Sequence, residues 1–342
     1  MKTVRLGKTG LEVSRIGMGG IPITRPSMDE AVKVIHRALD LGVNFIDTSP
    51  GYKDSEERIG KAIAGRRDQV ILATKTYDDK ATALKCLERS LKRFNTDYID
   101  LWQFLNVSTF EKYKRVLGPG GAMEAAQEAL KAGKIRHIGI TGHSPDVAQK
   151  AVASGLFETI MFPFNFVNNE AASKLVPLAK KHDVGFIAMK PFAGSMLNNA
   201  NLAIKYLLQF DNVVPVPGIE KVREIEENVN IVNESWELTP QEQQEMEDIR
   251  ARVGPRLCRR CGYCMPCPQG VVLLPLINMH MLWKLFPREW VLSWGYVTEG
   301  VESWKNCDQC GECEKKCPYH IPILEMIVEN IKFYESVAGG KA

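Results

Sequence analysis

Short apolar runs alternate with longer amphipathic segments from the N-terminus to about residue 252. The short runs are rich in Val and Ile, as is typical of strands that are buried on both faces. The longer segments place apolar residues every three or four positions, as is typical of helices with one buried face. The predicted strands are 14–18, 44–47, 70–75, 98–104, 136–141, 159–162, 185–189 and 213–216, and the predicted helices include 28–41, 81–94, 122–132, 169–182 and 222–232.

The regular alternation of strand and helix predicts an α/β fold with a parallel sheet. Eight such units within residues 1–252 match the size of a (β/α)8 TIM barrel. The alternative is a doubly wound open sheet that binds a dinucleotide. The first turn after a strand, GMGGIPITRPS, lacks the GxGxxG spacing of that fold, so we predict the barrel.

A second apolar region, 271–294, follows the barrel and holds three of the six tryptophans, Trp283, Trp290 and Trp294. Prolines and charged residues interrupt it, so it is too short in apolar length to span a membrane. We predict helices that pack against the rest of a small domain. Contact with a partner or a membrane surface is the alternative.

Eight of the nine cysteines lie in two short runs, each followed by a proline. The second run, CDQCGECEKKCP, matches the bacterial CxxCxxCxxxCP pattern, and the first, CRRCGYCMPCP, is one residue shorter. This spacing predicts two 4Fe-4S clusters; structural zinc and disulfides are the alternatives, but neither requires a third cysteine in each run. The ninth cysteine, Cys86, is predicted to be a small buried apolar residue.

The two runs resemble those of two-cluster ferredoxins, in which the fourth cysteine of each run ligates the other cluster. The resemblance implies a mainly helical, ferredoxin-like 4Fe-4S domain over residues 253–342. It also implies crossed ligation, with one cluster on Cys258, Cys261, Cys264 and Cys317 and the other on Cys307, Cys310, Cys313 and Cys267. Pro268 and Pro318 fit crossed ligation, because a proline after the last ligand turns the chain away from its own run.

Charge and composition add few constraints. The 342 residues include 44 basic and 41 acidic side chains, so nothing indicates a nucleic-acid partner. The N-terminal MKTVRLGKTG has no apolar signal core, and with reduced cysteines this predicts a cytoplasmic location without a membrane span. Three arginines beside the first cysteine run, Arg256, Arg259 and Arg260, either steer an acidic protein partner or offset the thiolate charge.

The polar residues at strand ends indicate where a barrel would hold its active site. Asp47 ends the second predicted strand, Tyr52 follows in the next loop, and Lys75 ends the third strand. A nearby ammonium favours the phenolate, so we expect a lowered pKa for Tyr52 and a role as general acid or base. The alternative is a buried ion pair between Asp47 and Lys75 with Tyr52 packed beside it.

Six segments resemble the aldo-keto reductase family in order and spacing: RLGKTGLEVSRIGMGG, GVNFIDTSPGYKDSEERIGKAI, VILATK, TDYIDLWQF, GKIRHIGITGHS and PVPGIEKVREIEENV. With the cysteine-rich tail, the chain resembles the iron-sulfur branch of that family. The resemblance implies that a nicotinamide passes hydride to a small-molecule substrate while Tyr52, tuned by Lys75 and Asp47, protonates the oxygen. The family's catalytic histidine is replaced by Leu105, followed by Asn106. Since leucine cannot stabilise the oxygen, we expect an activated carbonyl or a conjugated double bond as substrate, or a barrel that is no longer an efficient reductase.

The same resemblance implies NADP(H), with NAD(H) as the alternative. The implied cofactor contacts are Gly20, Thr141, Asn165, Met189, Lys190, Gly194, Gly218, Lys221, Glu227 and Asn228. Lys221 and Arg223 either bind a ribose phosphate or form a solvated helix face, and His143 either contacts substrate or makes a structural hydrogen bond. For the two clusters we expect electron transfer; the alternatives are an electron-transfer subunit for a protein partner and purely structural clusters.

Overall fold

A computed structural model describes residues 1–339; residues 340–342, the end of the predicted second domain, lie outside the described part of the chain. The described residues contain ten strands: β1 Thr3–Arg5, β2 Glu12–Ser14, β3 Met18–Gly19, β4 Phe45–Asp47, β5 Ile71–Thr76, β6 Ile99–Phe104, β7 Ile135–Thr141, β8 Thr159–Pro163, β9 Gly185–Met189 and β10 Val213–Val216. β3 to β10 form one parallel sheet in chain order, so the prediction of a TIM-like barrel is confirmed.

The prediction of a first strand over 14–18 is wrong. β2 ends at Ser14 and pairs antiparallel with β1, and the first barrel strand begins only at Met18. Ser14 turns the chain because its hydroxyl donates to the Ile16 carbonyl (2.7 Å) and its N–H donates to Oδ1 of Asn44 (2.7 Å). The predicted strand therefore divides between a hairpin and the first barrel strand.

Two backbone hydrogen bonds join the first and last parts of the barrel. The N–H of Gly17 donates to the Pro215 carbonyl (2.9 Å), and the N–H of Gly19 donates to the Pro217 carbonyl (2.7 Å). Gly19 can approach Pro217 this closely because it has no side chain. A Cβ at this position would lie only 3.1 Å from the Pro217 carbonyl oxygen. The eight-stranded sheet is therefore nearly closed.

Ten helices accompany the strands of the barrel region: α1 Met28–Asp40, α2 Ser55–Ile63, α3 Lys80–Phe94, α4 Phe110–Leu117, α5 Ala122–Lys131, α6 Pro145–Ala153, α7 Leu175–Lys181, α8 Ala200–Leu208, α9 Val222–Asn233 and α10 Pro240–Val253. The predicted helix over 169–182 is shorter, since a 3-10 turn at Glu170–Ala172 precedes α7. Pro177 lies in the first turn of α7, where a missing N–H costs no hydrogen bond. The interior is packed by buried side chains from several strands, including Phe45, Leu101 and Ile187.

Six helices form the C-terminal region: α11 Leu273–Ile277, α12 Met279–Leu285, α13 Arg288–Ser293, α14 Gly295–Ser303, α15 Glu312–Lys315 and α16 Ile323–Gly339. The first three confirm the predicted packing helices over 271–294. Their apolar faces share one core with the cysteine runs, including Cys264, Cys313 and Cys317. Within residues 1–339, no helix has the length and hydropathy required to cross a bilayer.

Candidate active site and cysteine cavity

Three buried polar side chains meet at the carboxyl ends of β4, β5 and β6. The ammonium of Lys75 donates to Oδ1 of Asp47 (2.5 Å) and to the Thr48 carbonyl (2.7 Å), and the amide of Gln103 donates to Oδ2 of Asp47 (2.7 Å). The side chains of Lys75 and Asp47 are only 3% and 7% exposed. Burial alone would lower the pKa of Lys75, but the charge and hydrogen bond of Asp47 outweigh burial and raise it. Lys75 therefore stays a cation.

Tyr52 lies over this pair in the loop between β4 and α2. The ammonium of Lys75 is 5.4 Å from the centre of the Tyr52 ring. The expected lowering of the Tyr52 pKa is not found: burial raises it, although the charges of Lys75 and Arg260 act in the opposite direction. The phenol thus keeps its proton at neutral pH, which suits a general acid.

Buried Glu56 connects the start of α2 to its neighbours, and sequence reasoning missed it. Its Oε1 accepts from the hydroxyls of Thr74 and Ser90, both at 2.8 Å, and Arg93 lies 3.3 Å from Oε2. These contacts hold the helix that follows Tyr52. Gln103 was not predicted either. Both residues could have been found as polar side chains within an otherwise buried helix or strand.

Leu105 directly follows β6, and the next residue, Asn106, contacts a histidine from another loop, His143. Nδ1 of His143 lies 3.1 Å from Oδ1 of Asn106, and Nε2 of His143 lies 3.1 Å from Nζ of Lys190. Burial, then the charges of Lys190 and Arg260, hold the pKa of His143 well below its usual value. His143 is therefore neutral, with Nδ1 donating to Asn106 and Nε2 accepting from Lys190.

The three arginines of the first cysteine run have separate environments. Arg256 pairs with Glu325 (2.5 Å) and with Glu329, whereas Arg259 lies over the ring of Tyr319. The charge of Arg260 instead lowers the pKa values of three groups at the barrel mouth, Tyr52, His143 and Lys190, although burial has the largest effect on each. The arginines thus do not form one exposed basic patch.

Four cysteines from both runs line one small cavity. They are Cys258, Cys261, Cys264 and Cys317, and the remaining walls are largely apolar, with Leu274 and Ile277 among them. All nine cysteines of the chain are free of disulfides. Burial raises the pKa of Cys264 to about 12 and that of Cys261 to about 11. Four thiols around an apolar cavity are a donor set that fits a 4Fe-4S cluster.

The two runs share an unusual backbone. The residue before the second cysteine has a positive φ in each run, 61° at Arg260 and 57° at Gln309. The residue after it is a glycine, with φ of 83° at Gly262 and 73° at Gly311. Left-handed conformations at matching positions show that the runs form the same kind of loop, although their sequences differ in length.

The residues expected to bind the nicotinamide half of a cofactor are mostly engaged within the protein. The amide of Asn165 donates to the Lys190 carbonyl (2.9 Å), and its Oδ1 accepts from the N–H groups of residues 167 and 168. Oγ1 of Thr141 accepts from the Asn106 N–H (2.8 Å), and Gly20 packs against the Ser55 hydroxyl. Met189 is half-buried at the end of β9. These four residues shape the barrel mouth.

Two glycines expected at the cofactor also approach other parts of the chain. An added Cβ at Gly194 would lie 2.4 Å from the sulfur of Met281, so α12 covers the loop after β9. An added Cβ at Gly218 would lie 2.6 Å from Pro22. Both positions therefore need glycine for close packing.

An open groove of about 470 Å³ lies between the start of α1 and the start of α9. Its lining includes Lys33 and Lys221, and an ion pair between Arg25 and Glu220 (2.6 Å) stands beside them. Arg223 is exposed and is not part of the lining. Of the expected contacts at this end, Glu227 is exposed and Asn228 is buried.

The fold and the polar group at its mouth define a (β/α)8 oxidoreductase scaffold with an iron-sulfur domain. The sequence pattern of the Aldo/keto reductase family matches residues 15–202, more than half of the chain. The pattern of a 4Fe-4S dicluster domain matches residues 257–321. The chain therefore belongs to the aldo/keto reductase family and carries a C-terminal 4Fe-4S dicluster domain.

Similar proteins cover the barrel to different extents. Aldo-keto reductase YhdN of Bacillus subtilis is 35% identical over 204 residues, which cover 54% of this chain and 60% of the length of YhdN. L-galactose dehydrogenase of Arabidopsis thaliana is 28% identical over 73% of this chain and 93% of its own length. The structure of aldo-keto reductase AKR11C1 from Bacillus halodurans in its holo form aligns with a TM-score of 0.64 at 25% identity, over 73% of this chain and 96% of that protein. An aldo-keto reductase from Klebsiella pneumoniae in complex with NADPH shares the fold, with a TM-score of 0.62 at 22% identity over 73% of this chain and 95% of that one.

The buried ion pair predicts a large stability effect. We expect Lys75→Met to lower the thermal unfolding temperature by roughly 6 °C or more, because an unpaired buried carboxylate costs about 3 kcal/mol and each kcal/mol shifts a domain of this size by about 2 °C. Lys180→Met is the matched control, since Lys180 and its partner Asp211 are 61% and 72% exposed. That control should lose no more than about 2 °C, because an exposed ion pair contributes at most about 1 kcal/mol. If thermal scans showed the same loss of unfolding temperature for both variants, the Lys75–Asp47 pair would not be effectively buried.

Proposed function

We propose that the protein is an NADPH-dependent reductase of a small organic substrate, with two 4Fe-4S clusters that transfer electrons. The single observation that carries this proposal is the placement of Tyr52 over the buried Lys75–Asp47 pair at the mouth of an aldo/keto reductase barrel. A proton donor above a fixed positive charge is suited to an oxygen that gains negative charge as a carbonyl is reduced.

Each residue has a distinct part in the proposed reaction. Tyr52 holds the transferable proton on its hydroxyl and donates it to the substrate oxygen. Lys75 remains charged and stabilises the phenolate that is left, while Asp47 and Gln103 keep the ammonium in place. When bound, the nicotinamide supplies the hydride. Leu105 gives no hydrogen bond to the oxygen, which favours substrates with an activated carbonyl or a conjugated double bond.

The proposed cofactor site runs from the barrel mouth along the loop after β9 to the groove at α9. Gly194 and Lys190 belong to that loop, and Lys221 lines the groove. The NADPH complex of the Klebsiella pneumoniae protein supports this choice of cofactor. Glu227 and Asn228 remain proposed contacts of the adenosine half.

For the clusters we propose the crossed ligand sets. The cavity formed by Cys258, Cys261, Cys264 and Cys317 supports the first set. Cys307, Cys310, Cys313 and Cys267 then form the second set. We also propose that the chain divides at 252/253 into a barrel and a dicluster domain, with a reducing cytoplasm as its location.

The groove predicts a cofactor preference. We expect Lys221→Gln to weaken NADPH binding by roughly two- to fivefold and to leave NADH binding unchanged, because an exposed ammonium contributes up to about 1 kcal/mol to a phosphate contact. Arg223→Gln removes the same charge two residues away, outside the groove lining, and should change neither affinity. Fluorescence titration of each variant with NADPH and with NADH measures these affinities. If the two variants behaved alike, the groove would not hold the phosphate.

The proposed function is tested by turnover under anaerobic conditions. Cluster-loaded protein is mixed with NADPH and an activated dicarbonyl such as methylglyoxal. We expect NADPH oxidation with formation of an equal amount of alcohol. Binding of NADPH without any reduction across a panel of activated carbonyls and enones would contradict the proposal.

A further inference from the structure

Two side chains attach the first cysteine run to the barrel. The hydroxyl of Tyr263 donates to Oδ2 of Asp146 (2.6 Å), and the guanidinium of Arg259 lies 3.7 Å from the carboxylate of Glu170. Asp146 is in α6, which follows β7, and Glu170 follows β8. Both carboxylates therefore lie beyond the carboxyl ends of barrel strands, on the side where a barrel holds its active site. The first run thus contacts the barrel at its mouth.

The same two side chains line the cysteine cavity. Tyr263 and Arg259 form part of its wall, together with the four cysteines of the proposed first ligand set. Tyr263 stands between Cys261 and Cys264 in the chain. The side chain of Tyr263 therefore extends from the wall of the cavity to a carboxylate of the barrel. A cluster held in this cavity lies next to the barrel mouth.

The second cysteine run is open to solvent. Cys310 is exposed, whereas the other eight cysteines are buried or half-buried. Its neighbours Asp308 and Gln309 are exposed as well. In the described part of the chain, the side-chain hydrogen bonds and ion pairs of residues 307–317 all end within the C-terminal region. The second run is therefore held by its own region rather than by the barrel.

Cys267 lies beside the second run, although it belongs to the first. The carbonyl of the preceding residue, Pro266, accepts a hydrogen bond from the ammonium of Lys316 (3.1 Å). Two residues after Cys267, the amide of Gln269 donates to Oδ2 of Asp308 (2.7 Å). These contacts on both sides of Cys267 support the proposed second ligand set, in which it is the fourth cysteine.

We propose that the two clusters form an ordered relay. The inner cluster is held beside the barrel by Cys258, Cys261, Cys264 and Cys317. The outer cluster is held by Cys307, Cys310, Cys313 and Cys267, and it exchanges single electrons with a one-electron carrier protein at the surface around Cys310. In each exchange, the reduced outer cluster passes one electron to an oxidised carrier and the reduced inner cluster replaces that electron, so no bond forms and no proton moves. The inference rests on the proposed electron transfer but not on NADPH as the donor.

The first test separates the two clusters by mutation. Cys258→Ser removes a ligand of the inner cluster, and Cys307→Ser removes a ligand of the outer one. Each cluster-loaded variant is reduced with dithionite without oxygen, freed of excess dithionite and mixed with oxidised cytochrome c, and the rate of haem reduction is measured. We expect Cys258→Ser to keep the rate that the unchanged protein shows for its first electron, and Cys307→Ser to lose it. Ferricyanide, a small oxidant, should oxidise the remaining cluster of both variants.

A second test keeps both clusters in place. Gln309→Glu adds one negative charge next to Cys310, and the surface of cytochrome c around its haem is basic. We expect electron transfer to cytochrome c to become roughly twofold faster at low ionic strength, the effect of one unit charge about 10 Å from its partner in water, and the gain to disappear at high salt. Gln241→Glu is the matched control, because this exposed residue of α10 changes the net charge equally in the barrel region. Its rate should equal that of the unchanged protein.

The outcomes separate the relay from the proposed function. Equal rates in Cys258→Ser and Cys307→Ser, or a faster reaction of Cys307→Ser, would overturn the order of the two clusters. A Gln309→Glu variant that behaves like Gln241→Glu would overturn the exchange of electrons around Cys310. Clusters that dithionite cannot reduce would instead contradict the proposed electron transfer as a whole. Because the reaction with cytochrome c requires neither NADPH nor a carbonyl substrate, a failure of the reductase assay leaves this result interpretable.

Discussion

Tyr52→Phe is expected to reduce NADPH-dependent turnover of an activated carbonyl by about 10² to 10⁴-fold, the range typical of losing a general acid. The variant removes one oxygen and keeps the ring 5.4 Å from the Lys75 ammonium, so the packing of the loop is retained. NADPH affinity and cluster content should therefore stay unchanged. Initial rates under anaerobic conditions, with kcat and KM determined separately, measure the effect.

Tyr98→Phe is the matched control for this experiment. The ring of Tyr98 lies between the guanidinium groups of Arg67 and Arg136, at 4.1 and 3.8 Å, and those contacts survive removal of the hydroxyl. Tyr98 precedes β6 and lies at the opposite end of the barrel from the site. The Tyr98→Phe variant should therefore turn over substrate at the rate of the unchanged protein. If Tyr52→Phe were equally active, Tyr52 would not be the proton donor and the proposed mechanism would be wrong.

Cys317→Ser and Cys258→Ser are expected to lose the same cluster. Cys317 is 59 positions from Cys258 in the chain but lines the same cavity. Serine is a poor iron ligand compared with thiolate, so each variant should retain about half of the iron and show the same remaining electron paramagnetic resonance signal. Crossed ligation further predicts that Cys267→Ser and Cys307→Ser show the same remaining electron paramagnetic resonance signal, because both would lose the other cluster.

Cys86→Ser serves as the control for the cysteine variants. Cys86 is buried in α3, with its sulfur 3.8 Å from the Lys75 carbonyl, and it should not affect iron content. If Cys317→Ser instead showed the same remaining electron paramagnetic resonance signal as Cys307→Ser, each cysteine run would hold its own cluster. The cavity formed by cysteines of both runs would then have another explanation.

The barrel could be predicted from the sequence because its strands are buried on both faces and bounded by helices with clear periodicity. The first strand was the exception. Residues 14–18 were predicted as one strand, but Ser14 ends a hairpin and the barrel strand starts at Met18. A hydrogen bond between Ser14 and Asn44, 30 residues later, made that difference, and no local pattern contains it.

The active site was predictable where strand ends carried charge, as at Asp47 and Lys75. It was not predictable where the second domain contributed, because Arg260 reaches the mouth only through the folded cysteine run. The direction of the Tyr52 pKa was also missed. The sequence shows that a lysine is near, but the degree of burial that outweighs it is a property of the packed structure.

The proposed exchange of electrons between the barrel and the dicluster domain can be tested by anaerobic titration of the cluster-loaded protein with NADPH. The nicotinamide and cluster absorption bands are followed together, and dithionite then shows the full extent of cluster reduction. We expect the cluster band to bleach in step with NADPH oxidation, because oxidation of one NADPH to NADP⁺ and a proton releases two electrons and each of the two clusters takes up one. NADPH that binds while the clusters stay oxidised, in protein whose clusters dithionite reduces, would contradict it.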